Sequence, residues 1–199
     1  MSENQEDIDT LIFSLSDRQK AAFGALVCER LLPQYRAFCE AANWGSLAVY
    51  QEGLVLLYSS AVDEFDIPAA TALLEKLAAV SPAFGQYQSL ALPYAIDACV
   101  ALGEALQFLT DKQESHVSNC ATAATESVSQ FVSDYLGLDP DSRTFAAAMA
   151  ADPFMLAETA RQRRLLEALL QRHEFDGASI QQLRQLNGTG SIIDLARLS

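Results

Sequence analysis

The sequence predicts an all-α protein, a compact bundle of about eight to ten helices with no sheet. Three observations carry this. The chain has 199 residues, half of them hydrophobic, and it is rich in alanine and poor in glycine. That composition favours helix over strand and is long enough to bury a sizeable core. Apolar residues recur at spacings of three and four in segment after segment, the mark of one buried helical face. No stretch alternates apolar and polar with turn signals at strand spacing, and no repeat of fixed period is visible. The length suits one domain over residues 1–199, with 1–14 as a frayed acidic end and 187–199 as a loosely attached tail.

Helix punctuation supports each element in turn. Ser16 and Gln19 form a Ser-x-x-Gln capping box that opens a helix running to about residue 42. Its stripe is Phe23, Val27, Leu31, Tyr35, Phe38 and Ala42. Pro33 lies inside it and predicts a kink, or a break with restart, because proline removes a backbone donor and clashes with the preceding turn. Asn43-Trp44-Gly45 ends the segment, and Ser46 caps the next, striped by Leu47, Tyr50, Leu54, Leu57 and Ala61. Asp66 and Pro68 open another helix, which Ser81-Pro82 stops. Pro93 starts a helix running to about Leu109.

Thr110 with Gln113 reads as a second capping box. The helix after it carries Val117, Ala121, Ala124, Val128, Phe131 and Tyr135, a seam with small residues where a neighbour comes close. Gly137 closes it. Asp139-Pro140 and Asp152-Pro153 each read as an N-cap followed by a first helical proline. The last long helix ends near Asp176-Gly177, and "ASIQQLRQL" makes a short one before the tail.

Charge narrows the function classes. Acids number 26 and Lys plus Arg 13, a net charge of −13. Residues 1–17 hold five acids and no base, 45–159 hold 15 acids and 3 bases, and 18–44 and 160–199 are each +2. Such a chain repels phosphate backbones and anionic lipid, so nucleic acid and membrane are not expected partners. The four cysteines, Cys28, Cys39, Cys99 and Cys120, form no Cys-x-x-Cys pair and follow an acidic start rather than a basic leader. A reduced, cytoplasmic protein with free thiols is expected.

Candidate chemistry is sparse. Asp97 lies in the apolar stretch "YAIDACVAL", on a helix that is polar only along Asp97, Glu104, Gln107 and Asp111. A helix of that kind is mainly buried. Asp97 and Glu104 share a face, but seven residues is roughly 10 Å of rise, too far to clamp one metal from one helix. Glu-x-x-His, the ferritin-like signature, is absent. His116 and Cys120 sit at i and i+4, a weak ligand pair against the plainer reading of a surface His beside a core Cys. His173, near a helix C-terminus, suits the dipole there. "NGTG" at 187–190 lacks the lysine and the strand–helix setting of a phosphate loop and reads as a turn. "RQRR" at 161–164 reads as a solvated basic face partnered by Glu158 and Glu167, or as a contact for acidic parts of the chain. No cofactor and no structural metal are expected.

Arg30 stands apart. Projected around its helix, it falls beside Phe23 and Val27, whereas Glu29, Arg36 and Glu40 cluster on the opposite side. A guanidinium at that place needs an anionic partner. The first expectation is a structural ion pair with Asp97, with Glu104 as the second choice. A functional pocket at the same place is the alternative.

Two blocks, "VCERLLPQYRAFC" (27–39) and "LPYAIDACVAL" (92–102), resemble those of the YjaG-like family of bacterial proteins of unknown function. The resemblance runs from about residue 12 to the tail, where "GTGSIID" matches only loosely. It implies a compact helical cytoplasmic protein and carries over no catalytic residues. Glu29, Arg30, Pro33, Tyr35, Asp97 and Cys99 fall within the matching blocks.

Two functional readings follow. In the first, the protein is non-catalytic and acts through protein contacts, with an unidentified partner or as a homodimer. The seam helix, the charge asymmetry and the lack of a catalytic constellation point that way. In the second, a small-molecule site or enzyme is built on Arg30, Tyr35, Asp97 and Glu104.

Overall fold

Local caps set most helix starts. The computed structural model describes residues 3–172, 175–188 and 190–198. Helix α1 spans Glu3–Phe13, where a frayed end was expected, and it buries Ile8 and Ile12. Helix α2 spans Asp17–Ala42 and opens on the Ser16–Gln19 box, both halves of which form. Ser46 caps α3 (Leu47–Val62) through the Val49 N–H, and Asp66 caps α4 (Ile67–Val80) through that of Ala69. Helices α5 (Leu92–Asp111) and α6 (Glu114–Leu136) form a close pair, and Gly137 ends α6 in the left-handed region. Helices α7 (Phe145–Ala151), α8 (Pro153–Leu170) and α9 (Gly177–Asn187) follow, then a short 3-10 helix, Leu195–Leu198. Among the described residues there is no strand.

Three expectations need correction. Pro33 does not break α2, which runs through it unbroken. Buried Arg30, Leu31, Gln34, Tyr35 and Phe38 lie before and after the proline on one face, and their packing keeps the helix continuous. With its amide oxygen toward the Ser191 hydroxyl, the Gln34 side chain also donates to the Leu31 and Arg30 carbonyls, at 3.0 and 3.2 Å. Thr110 is not a cap. It sits in the last turn of α5, where its hydroxyl donates to the Gln107 carbonyl at 2.7 Å. Asp139-Pro140 starts no regular helix. Asp139 instead accepts from the Asp141 N–H at 3.0 Å, and α7 begins only at Phe145. His173 lies outside the described residues.

Helices α2, α5 and α6 are the centre of the packing. α3 and α4 cover one flank, and α8, with α1 and α9 beside it, covers the other. Gly24 lets α2 and α5 approach: a Cβ there would meet that of Ala105 at 3.1 Å. By length and apolarity α5 is long enough to cross a membrane, yet it is a core helix that buries eleven of its residues, Tyr94, Leu102, Leu106 and Phe108 among them. The seam of α6 is likewise occupied inside the chain. Val117, Ala121, Ala124, Val128 and Phe131 are buried against neighbouring helices, and only Tyr135 is exposed.

Candidate functional site

The four residues singled out in the sequence have separate partners. Arg30 is buried as expected, but its partner is Glu158 of α8, not Asp97. Nη1 and Nη2 each donate to a Glu158 oxygen at 2.7 Å, with 4% and 3% of the two side chains exposed. Gln162 Nε2 donates to the same carboxylate at 2.7 Å. Thus Glu158, expected to balance the RQRR stretch, is a core residue. The reason is placement: α8 packs on both α2 and α6 and brings Glu158 to Arg30. The RQRR arginines reach elsewhere, Arg163 to Asp7 of α1 and Arg161 to the Gly190 carbonyl.

Asp97 is half-buried on α5, where Ser127 and Glu126 of α6 act on it. Burial is the main cause that pushes its carboxyl up to about 6; Glu126 adds to this and Ser127 opposes it. Among the described residues no cation pairs with it. Glu104 serves α6 as well. It accepts from Asn119 at 3.1 Å and meets His116 Nδ1 at 2.7 Å, while His116 Nε2 lies 3.1 Å from Asp111. Both ring nitrogens of His116 are therefore engaged. Cys120 faces Cys28 with sulfurs 4.0 Å apart, so the His116–Cys120 pair does not converge on a metal position. Among the described residues no group of three His, Cys, Asp or Glu is arranged to hold a metal ion. Tyr35 is fully buried and structural: its hydroxyl donates to the Val80 carbonyl at 2.9 Å and accepts from the Ser46 N–H at 3.1 Å. It ties α2 to the start of α3 and the end of α4.

A cleft opens beside Arg30, in a direction the sequence did not indicate. Between α2 and α9 lies a cleft of about 410 Å³. Helix α2 lines it with Glu29, Arg30, Leu32 and Arg36, and the α9 side with Gln181, Arg184, Gln185 and Gly188. Helical spacing explains both sets. Residues 29, 32 and 36 share a face of α2, and 181, 184, 185 and 188 share a face at α9. On its other side α9 buries Ile180 and Leu183, and the Asn187 amide donates to the Leu26 carbonyl at 2.8 Å. That anchor orients Arg184 toward α2.

Glu29 is the one acid in the described lining. Arg184 Nε donates to its two oxygens at 2.9 and 3.1 Å, Arg184 Nη2 donates to Oε1, and the Tyr58 hydroxyl donates to Oε2 at 2.7 Å. The guanidinium also lies over the Tyr58 ring, 5.3 Å from its centroid. Arg30 is neutralised by Glu158 and Arg184 by Glu29. Arg36 is exposed and, among the described residues, forms no ion pair. Behind Arg30 sits half-buried Arg161, whose pKa is lowered by burial first and then by the charge of Arg30, with Glu158 opposing. The neighbourhood therefore carries surplus positive charge within a chain of net charge −13.

The comparisons with known proteins agree with this fold. A crystal structure of a DUF416 family protein from Shewanella baltica OS155 superposes with a TM-score of 0.81 at 25% identity, covering 93% of this chain and 96% of that one. The uncharacterized protein YjaG of Salmonella typhimurium is 32% identical over 100 residues, 50% of this chain and 51% of the relative. YjaG of Escherichia coli K12 is 30% identical over the same length. The match thus spans about half the length of these curated relatives. The resemblance to the YjaG-like family is borne out. The family model described as a protein of unknown function, DUF416, matches residues 8–192, and the chain belongs to that family.

Proposed function

We propose that the protein works by binding rather than by catalysis, and that the cleft between α2 and α9 engages an anionic group. The carrying observation is a cleft lined by three arginines and one carboxylate in a strongly acidic chain, with Arg36 exposed and without an ion pair among the described residues. Arginine presents a fork of donors to carboxylates and phosphates, and a partly enclosed cleft screens its charge less than open surface does. The described lining offers no nucleophile and no histidine, and its one carboxylate already accepts from Arg184 and Tyr58. Holding an anion needs nothing further; turning one over needs a base or a nucleophile. The four free thiols support a reducing, cytoplasmic setting for this role.

The test is titration of the protein with acetate, citrate and phosphate, followed by amide NMR. The expected result is saturable shifts at Gln181, Arg184 and Gln185, lost in Arg36→Gln/Arg184→Gln. Binding that ignores both arginines, or no saturable binding, overturns the reading.

A second reading, action through protein contacts with a second copy of the chain as the first partner to test, draws on a different place. Phe84 and Leu90 are 76% and 59% exposed and flank a groove of about 550 Å³ that Pro93 and Leu198 help to line. Exposed apolar side chains gathered in this way mark contact surfaces. Sedimentation equilibrium is the check. A dimer that Phe84→Ser dissociates supports this reading, and a monomer at all concentrations removes the homodimer.

A further inference from the structure

We infer that Glu29 is a built-in occupant of the cleft, and that the ligand's anionic group is a carboxylate that exchanges with Glu29 on Arg184. This rests on reading the cleft as an anion site and adds the chemical class it selects and the group that restrains it.

The corner around Glu29 is a template. Arg184 addresses both carboxylate oxygens through Nε, at 2.9 and 3.1 Å, and Nη2 reinforces the contact at Oε1. Tyr58 adds a hydroxyl donor at 2.7 Å. Three donor groups thus converge on two oxygens, which is the demand of a carboxylate. A phosphoryl group brings a third terminal oxygen for which this corner has no donor in place.

Exposure makes the occupant replaceable. The side chains of Arg184 and Glu29 are 44% and 24% exposed, against 4% and 3% for Arg30 and Glu158. A buried pair resists exchange because either partner left behind is stranded out of water. A partly exposed pair contributes little net stability, so an acid from solution can displace it once its concentration offsets the tether that holds Glu29 in place. Arg36 lies seven residues beyond Glu29 on the same face of α2, roughly 10 Å along the axis. Exposed and without an ion pair among the described residues, it can receive either the released Glu29 or a second acid group of the ligand. The ligand is therefore a carboxylic acid, best with two acid groups, supplied by a small organic acid or by acidic side chains of a peptide.

The experiment is calorimetric titration of the full chain with succinate, with an acetylated Asp-Glu peptide and with inorganic phosphate. The proteins compared are wild type, Glu29→Gln, Glu29→Ala and Arg184→Gln. Removing the internal competitor should tighten carboxylate binding by about two- to fivefold in both Glu29 variants, the factor that displacing an exposed pair costs. Arg184→Gln should lose binding. The arm, succinate or peptide, that gains more identifies the source of the carboxylate. Carboxylates that bind through Arg184 with no gain in the Glu29 variants overturn the inference and leave the anion site standing. So does binding of phosphate alone. If no anion binds any of the four proteins, both readings fall.

Discussion

Glu158→Ala probes the interior most sharply. The substitution removes a carboxylate that accepts from both terminal nitrogens of Arg30 and from Gln162, each at 2.7 Å. Gln162 keeps the Ala121 carbonyl and the Thr125 hydroxyl as partners, at 3.1 and 3.2 Å. Among the described residues Arg30 keeps no other side-chain partner: its side chain is 4% exposed and its Nε is already unpartnered. A stranded buried charge of this kind costs about 3–5 kcal/mol. That is a large share of the roughly 5–15 kcal/mol by which domains are stable. The exposed pair Lys76–Glu52 is the internal control, since its side chains are 55% and 52% exposed. Glu52→Ala should cost about 0–1 kcal/mol. Replacing both partners at once, Arg30→Met with Glu158→Leu, leaves no orphan charge and should cost far less than the two single changes combined. Urea unfolding read by circular dichroism gives each value, with constant m confirming that stability alone has changed. A Glu158→Ala cost within about 1 kcal/mol of wild type, or a double variant as costly as the sum, refutes the stranded-charge argument.

Other consequences follow from the same packing. Burial, helped by Glu126 and opposed by Ser127, raises Asp97 from 3.8 to about 6. The folded state then holds this proton longer than the unfolded one, so the stability it contributes is complete below 3.8 and lost as pH rises through about 6. Asp97→Asn should gain on wild type across that window, and a urea-midpoint difference that is flat with pH contradicts this. For His116, burial works to lower the pKa, but Glu104 and Asp111 outweigh it and raise the ring above 6.5. Its contribution is complete below 6.5 and lost as pH climbs through the raised value; an NMR titration midpoint under 6.5 disproves the assignment. Gly45 has φ +98, and a Cβ there would lie 2.8 Å from Cys39 Sγ and 3.1 Å from Tyr35 Oη, whereas one at Gly137, φ +61, meets nothing within 4 Å. Gly45→Ala should cost about 1–3 kcal/mol in thermal unfolding and more than Gly137→Ala; equal costs remove the steric part of the argument.

The sequence by itself determined the helical class and most helix boundaries, because capping and periodicity act over three or four residues. Ser16 with Gln19, Ser46, Asp66 and Asp152 all cap where their spacing placed them. The same locality made Arg30 legible as a buried cation from its angle on α2 alone. The local rules failed where a tertiary or neighbouring group took the side chain first. Gln107 holds the hydroxyl of Thr110, and a buried face continuous from Arg30 to Phe38 carries α2 past Pro33. The partner of Arg30 was beyond reach of local reasoning, since Glu158 lies 128 residues away and resembles a surface acid beside RQRR. The cleft was equally hidden. Glu29 and Arg184, 155 residues apart, meet only because Ile180, Leu183 and Asn187 seat α9 against the bundle. Polar partners are chosen by which helices come to lie side by side, and that choice is made by burial of apolar faces, which carries no label of sequence distance.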